Sequence, residues 1–386
     1  MAIYIITFII SDILFALGAK GHNKKTFWFF AILLPCLLAA CRADTIGTDT
    51  SYYPHDLFNN AQNAKSLYEY LTSDIYYSWQ YTPIYQLEFG YTFLIFLIQR
   101  IFNNIVVIFF ITELLIILPI VAILNKLENK CPIWLGMLVF YFLYYNVTLN
   151  TMRQWIAVSF LLLGSIYLFD KKPKKYFLFL FIAVFFHQSA LIGIFIFLFY
   201  KIITMRVSIR INSFIISSTR FNIISEILIS IMLIFGLRNV LYQFAIELGF
   251  GRYAAYLNGQ ISFSINQLIL QLPIIFLLIL EWRNIFNKNE NSIENRDYNL
   301  FMVGMAILNI FILQLSTISD NTWRISLYFG CFNILLFPVL YEVEKYRHRK
   351  IMVIAVICIY LAIYWIYYFV YLGAHDTIPF VFRFLQ

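Results

Sequence analysis

Ile105-Val-Val-Ile-Phe-Phe-Ile-Thr-Glu-Leu-Leu-Ile-Ile-Leu-Pro-Ile-Val-Ala-Ile-Leu124 is the stretch that decides the fold class. Its only charge is Glu113. As an α-helix it extends about 30 Å, the thickness of the hydrocarbon core of a bilayer, and a helix satisfies its own backbone where there is no water to do so. The same composition runs through the chain, with 62% hydrophobic and 12% charged residues over 386 positions. Such a chain is an all-α polytopic membrane protein, and residues 1–386 read as one integral membrane domain. The cysteines Cys36, Cys41, Cys131, Cys331 and Cys358 are scattered and odd in number, which gives neither a disulfide framework nor a metal-ligand spacing.

Working outward, Ala2 to Ala19 has no basic segment before it and no Ala-x-Ala-like cleavage site, so a retained span is expected there rather than a signal peptide. Lys20, Lys24 and Lys25 follow, then an apolar run from Phe27 to Cys41. On the other side of the central stretch come Lys126 and Lys130, Pro132 to Val147, Trp155 to Phe169, and the cluster Lys171-Lys-Pro-Lys-Lys175. The positive-inside rule puts the lysines in the cytoplasm and both chain termini outside. Read as one helix, Tyr176 to Ile203 would carry Lys201, Arg206, Arg210 and Arg220 outside. A re-entrant pair broken near His187-Gln-Ser189 is expected instead, with His187 at the bottom of an outward cavity. Further spans are expected at Ile223 to Val240, Phe263 to Leu280, Leu300 to Leu315, Ile325 to Leu340 and Ile351 to Tyr371, with polar inside loops at Glu281 to Asn299 and Tyr341 to Lys350. Phe89 to Ile98 is too short to cross and reads as a short outer-face helix. The expected architecture is therefore about ten full transmembrane helices, the outer-face helix, the broken pair and a large external loop, residues 42–88, after the second helix.

That loop mixes carboxylates (Asp44, Asp49, Asp56, Glu69, Asp74, Glu88) with many tyrosines, a composition suited to hydroxyl-rich ligands such as carbohydrate. The competing account is an interfacial aromatic belt. The expected inside segments take twenty of the 28 basic residues. Seven of the remaining eight are arginines: Arg42, Arg100, Arg153, Arg238, Arg252, Arg324 and Arg383. A planar guanidinium grips a phosphate with two parallel hydrogen bonds and stays charged in a low-dielectric site, so an outer set of arginines predicts an anionic, lipid-linked ligand. Snorkelling to the interface is the bland alternative for any one of them. Polar neighbours favour a site at Asn150-Thr-Met-Arg-Gln154, Gly251-Arg-Tyr253 and Ser319-Asp-Asn-Thr-Trp-Arg324. Asp49 reads as a general base or sugar-hydroxyl acceptor, against an Asx-turn role beside Gly47. His187 reads as a base or phosphate donor, against a helix-breaking histidine bonded to a backbone carbonyl. Asp44 and Asp49 alone make no metal site, and no Gly-rich phosphate loop is present.

Arg42, then Gly47-Thr-Asp-Thr50, Tyr53 and Phe58, then Glu88-Phe-Gly-Tyr91, resemble the amino-terminal signature of the EpsG family, grouped with Wzy-type polymerases of O-antigen, capsule and exopolysaccharide. Arg153-Gln-Trp-Ile-Ala157, Phe186-His-Gln-Ser-Ala190, Arg252-Tyr253 with Tyr256, and Arg324 with Tyr328 follow in the family's order. Phe89 departs from it, standing where proline is expected. The resemblance implies a glycosyltransferase of the bacterial cytoplasmic membrane that joins undecaprenyl-pyrophosphate-linked oligosaccharides on the outer face, without a cofactor, metal or nucleic acid. Asp49 and His187 would be catalytic. Arg42, Asp44, Tyr53, Glu88, Arg153, Gln154, Arg252, Tyr253 and Arg324 would bind substrate. Flippase and chain-length regulator proteins are the candidate partners. Two rivals are a flippase or exporter of the same lipid-linked sugars, for which the sequence lacks internal repeats, and a membrane acyltransferase, which would favour polar chemistry at the inner face.

Overall fold

The computed structural model describes residues 1–21, 23–50, 53–77, 80–205, 209–211, 214–216, 243, 246, 264–286, 293–314 and 323–385. Seven helices among them are long and apolar enough to cross a membrane: Ala2–Lys20, Ile105–Lys126, Met152–Phe169, Ile265–Ile285, Arg296–Leu313, Trp323–Val343 and Arg347–Tyr371. Shorter apolar helices occupy Phe89–Phe102, Ile133–Thr148 and Gln188–Ile203. The chain is a helical, multi-pass membrane protein. The expected span from Ile223 to Val240, and with it Arg252 and Tyr253, lies outside the described residues. Two units emerge, one of Met1–Ile166, Pro173–Leu191 and Cys358–Gln386, the other of Tyr167–Lys172 and Ile192–Ile357.

In the first unit, α1 (Ala2–Lys20) and α2 (Lys24–Ala40) approach so closely that a Cβ on Gly18 would lie 2.5 Å from the Trp28 ring. Pro35 sits inside α2 and has no N–H for the carbonyl of Ala31, a costly omission in lipid. Ser11 of α1 supplies the donor at 2.6 Å and accepts in turn from the Tyr141 hydroxyl, also at 2.6 Å. α6 (Ile105–Lys126) repeats the device, since Pro119 deprives the Leu115 carbonyl of its partner. The Ser159 hydroxyl of α8 (Met152–Phe169) lies 3.4 Å from that carbonyl. α7 (Ile133–Thr148) contains a π turn at Tyr141–Tyr145. There Tyr141 stacks on Phe8 at 5.0 Å, and the Tyr145 hydroxyl donates to the Pro35 carbonyl at 2.6 Å.

Residues 42–88 are mostly regular structure rather than open loop. They hold α3 (Tyr53–Asn63), α4 (Leu67–Thr72) and an antiparallel hairpin of β1 (Asp74–Tyr77) and β2 (Gln80–Pro83). Ser66 caps α4 by accepting the Glu69 amide at 3.1 Å, and the Glu69 carboxylate takes the Lys65 amide at 2.7 Å. α5 (Phe89–Phe102) has 14 residues and reaches only about 21 Å, short of a full crossing. Its Gly90 packs onto α9 (Pro173–Phe186), where a Cβ would meet the Phe185 carbonyl oxygen at 2.6 Å. The long apolar stretch from Tyr176 to Ile203 is two helices. α9 ends at Phe186, a 3-10 turn covers Gln188–Leu191, and α10 (Ile192–Ile203) begins the second unit's main segment.

The chain after Tyr371 folds back onto the first unit. Tyr4 donates to the Thr377 carbonyl at 2.9 Å and Asn146 to the Thr377 hydroxyl at 2.9 Å, while Trp365 donates to Asn146 at 2.9 Å. The Val381 carbonyl accepts from the Ala43 amide at 2.9 Å, and the Arg383 amide donates to the Cys41 carbonyl at 2.9 Å. These last bonds fix the start of the polar segment.

The second unit contains α11 (Ile265–Ile285), α12 (Ile293–Leu313) and α13 (Trp323–Val343), with a small hairpin pairing Ile209–Ile211 and Phe214–Ile216. The expected inside loop from Glu281 to Asn299 is shorter than read, because α11 runs on to Ile285 and α12 starts at Ile293. Polar side chains there close helix ends. Asn299 donates to the Ile285 carbonyl at 2.9 Å, and Asn284 bridges Glu281 at 2.7 Å and Glu344 at 3.1 Å.

Candidate functional site

Three stretches of the first unit converge: the segment after α2, the turn between α7 and α8, and the folded-back tail. Gly47 has φ +87°, and a Cβ there would sit 2.7 Å from the Leu149 carbonyl oxygen, so both conformation and contact call for glycine. Beside it, Thr48 Oγ1 and the Asp49 amide both donate to Asn150 Oδ1, at 2.7 and 2.9 Å. Thr50 Oγ1 donates to the Leu149 carbonyl at 3.3 Å. The tail closes the far side, with His375 Nδ1 3.0 Å from Asn150 Nδ2 and the Asp376 carbonyl accepting from the Gly47 amide at 3.1 Å. The Asp49 carbonyl then accepts the Tyr53 amide at 3.3 Å, which starts α3. The backbone of Asp49 is thus held from both directions.

Tyr53 leads to a second group. Arg153 Nη1 donates to the Tyr53 hydroxyl at 2.9 Å, and the guanidinium lies over the Tyr53 ring at 3.8 Å. The same Nη1 forms an ion pair with Glu88, the residue that precedes α5. His187 Nε2 lies 4.0 Å from the other Glu88 oxygen. These side chains are only 11 to 13% exposed, so solvent screens their charges weakly. His187 Nδ1 faces Ser189, whose hydroxyl is at 2.7 Å and whose amide is at 3.3 Å. An amide can only donate, so Nδ1 is the accepting nitrogen and the proton of the neutral ring sits on Nε2, toward Glu88.

Tyr91 joins this group to the rest of the site. Its ring stacks on Tyr53 at 6.1 Å, and it interacts electrostatically with Arg42, Arg153 and Asp49. Met152 Sδ receives the Tyr91 hydroxyl at 3.6 Å and Arg42 Nη2 at 3.1 Å. Arg42 itself is 1% exposed, lies over the Phe109 ring at 4.1 Å and donates to the Ala39 carbonyl at 3.1 Å. It interacts with Glu113, which accepts from the Thr148 hydroxyl at 3.0 and 3.2 Å. Asp44 stands in another group, its Oδ1 paired with His55 Nε2 at 2.7 Å and with Arg383. Two of these arginines are paired with a carboxylate: Arg153 with Glu88 and Arg383 with Asp44. Counting the arginines expected outside overstates the positive field, because Arg153 and Arg383 each carry a carboxylate partner.

Of the residues expected in a site, Tyr53, Glu88, Arg153 and His187 come together; Arg42 shares Met152 with Tyr91, and the Asp49 carbonyl accepts from the Tyr53 amide. Gln154 follows Arg153 and is 3% exposed. Asp44 belongs to the His55 group. Arg324 opens α13 in the second unit, 5.9 Å from the Trp323 ring centre, and Arg252 and Tyr253 lie outside the described residues. The sequence reading passed over His55, His375 and the clamping role of Asn150. A signal existed for the tail in Gly373-Ala-His-Asp-Thr377, a polar run directly after an apolar span. Among the described residues no group of three or more His, Cys, Asp or Glu is arranged to hold a metal ion.

The family model of the EpsG family matches residues 25–382. No curated protein and no solved structure matches the chain.

Proposed function

The chain belongs to the EpsG family of Wzy-like polymerases, and from that premise we propose that it joins undecaprenyl-pyrophosphate-linked oligosaccharide repeat units into a surface polysaccharide on the outer face of the bacterial cytoplasmic membrane. The observation that carries the reading is the weakly exposed group of Tyr53, Glu88, Arg153 and His187. A hydroxyl of one repeat unit attacks the anomeric carbon of the sugar next to the pyrophosphate of the other. The bond from that carbon to the pyrophosphate oxygen breaks, and the lipid pyrophosphate leaves with the electron pair. Charge grows on the leaving oxygen, and a guanidinium already held in place by Glu88 and Tyr53 stabilises it without first having to be ordered.

His187, with Nε2 4.0 Å from Glu88, acts in this scheme beside the carboxylate as a polar group of the catalytic set. Asp49 hydrogen-bonds a sugar hydroxyl, its backbone fixed by Asn150. Arg42, being buried, supports the segment from beneath. Asp44, Gln154, Arg252, Tyr253 and Arg324 complete the proposed set. The substrate carries its own activation in the pyrophosphate, so no nucleotide sugar or cofactor is required. Flippase and chain-length regulator proteins are the proposed partners, and the lysine clusters support termini on the outer side. The test is the purified protein in liposomes with lipid-linked repeat units as the sole sugar source. A ladder of longer lipid-linked chains, with release of undecaprenyl pyrophosphate, is the expected result. Units that cross the bilayer without growing would instead make the protein a flippase.

A further inference from the structure

Chain growth needs a group that takes the proton of the attacking hydroxyl, and at neutral pH an imidazole is better matched to that task than an aspartate. His187 is turned the wrong way, since its accepting nitrogen faces Ser189. His55 is arranged differently. It lies in the first turn of α3, and its ring centre is 6.3 Å from that of Phe109, the ring over which the Arg42 guanidinium lies at 4.1 Å. Its Nε2 meets Asp44 Oδ1 at 2.7 Å. With Nε2 donating to the Asp44 oxygen, the neutral ring keeps its lone pair on Nδ1. That nitrogen makes no hydrogen bond among the described residues, and the side chain is 23% exposed. A carboxylate on one nitrogen, with the other open to a hydroxyl, is how an imidazole is oriented as a base.

We infer that His55, oriented by Asp44, is the proton acceptor for the attacking sugar hydroxyl; this rests on the polymerase reading. As the new oxygen–carbon bond forms, the hydroxyl proton passes to His55 Nδ1. The old bond to the pyrophosphate breaks with its electron pair on the leaving lipid, and the imidazolium later returns its proton to water. Asp44 is a positioning residue, shared with Arg383 from the tail. The other charged groups near the ring are Asp56, the next residue on α3, and Arg42, which with Arg383 and His55 surrounds Phe109 at 4.1, 5.6 and 6.3 Å.

The experiment measures elongation of lipid-linked repeat units in liposomes across pH for wild type, His55→Gln and Asp44→Asn. His55→Gln is expected to lower kcat by about 100-fold, leave KM within about threefold, and change the pH profile of elongation. Asp44→Asn should lower kcat by about tenfold, because the ring loses its orientation but keeps its base. A merely structural His55 would reduce the amount of folded protein and leave the pH profile of the remaining activity unchanged. Retention of kcat and of the wild-type pH profile in His55→Gln, with wild type elongating, overturns the assignment alone. Wild type that cannot elongate at all overturns the polymerase reading and this role with it. Because His55→Gln could lower folding yield, wild-type protein is also treated with diethyl pyrocarbonate and mapped by mass spectrometry. Modification of His55 should match loss of elongation and be blocked by bound lipid-linked units, whereas full activity with His55 modified overturns the role.

Discussion

Arg153 places a delocalised, planar charge 3.8 Å from the Tyr53 ring centre while its Nη1 donates to the Tyr53 hydroxyl and pairs with Glu88, and a compact, strongly hydrated ammonium is a poor substitute there. Arg153→Lys should therefore fail nearly as badly as Arg153→Ala, with elongation down by at least about tenfold in both, whereas a snorkelling anchor would accept lysine. Tyr53→Phe keeps the ring and loses one hydrogen bond worth about 1 kcal/mol, so a drop of roughly fivefold is expected. Polymer length on a gel at matched expression checks all three. The identities of these residues were legible in their motifs, but their pairing was not. Nothing in Phe186-His-Gln-Ser-Ala190 says that Glu88 will face the imidazole, though Ser189, two residues along, does set which nitrogen carries the proton. His55 was missed because a histidine among polar loop residues looks ordinary until Asp44 is seen beside it.

At the scale of elements, the prolines inside helices show how sequence and packing answer each other. Ser11→Ala should destabilise the protein by about 1–3 kcal/mol, since it leaves the Ala31 carbonyl unmet and the Tyr141 hydroxyl without its acceptor. In a Pro35→Ala background residue 35 regains its amide and can bond Ala31 within the helix, so the same serine change should cost less. Unfolding of the four proteins in detergent measures the difference, and equal costs in both backgrounds would contradict the account. The helices themselves were legible, because long apolar runs near Ala2, Ile105, Trp155 and Ile351 have few other solutions in lipid. Their ends were less so. Asp297 and Asn299 look like loop residues, yet they are helical, and Asn299 caps the preceding helix. The break at His187 was visible as the polar interruption of an apolar stretch.

At the scale of the whole molecule, the lysine clusters predict which surface is outside. A cysteine at position 49 should react with an impermeant thiol reagent in intact cells, and one at position 174 should not, in a background lacking the native cysteines. Labelling at 174 would invert the arrangement. The return of the tail onto Cys41 and Ala43 could not be read from local sequence, because Arg42 and Phe382 are paired across almost the whole chain. The polar character of the run from Arg42 to Glu88 was legible in the sequence, while its closure by Asn150 and the tail depends on contacts that only the folded bundle makes. The most direct test of the central claim is the surface glycan of a strain from which the gene has been deleted. The account predicts that polymer collapses to a single repeat unit on its lipid carrier, present on the outer face. Full-length polymer in that strain, or the absence of any outer-face repeat unit, would contradict it.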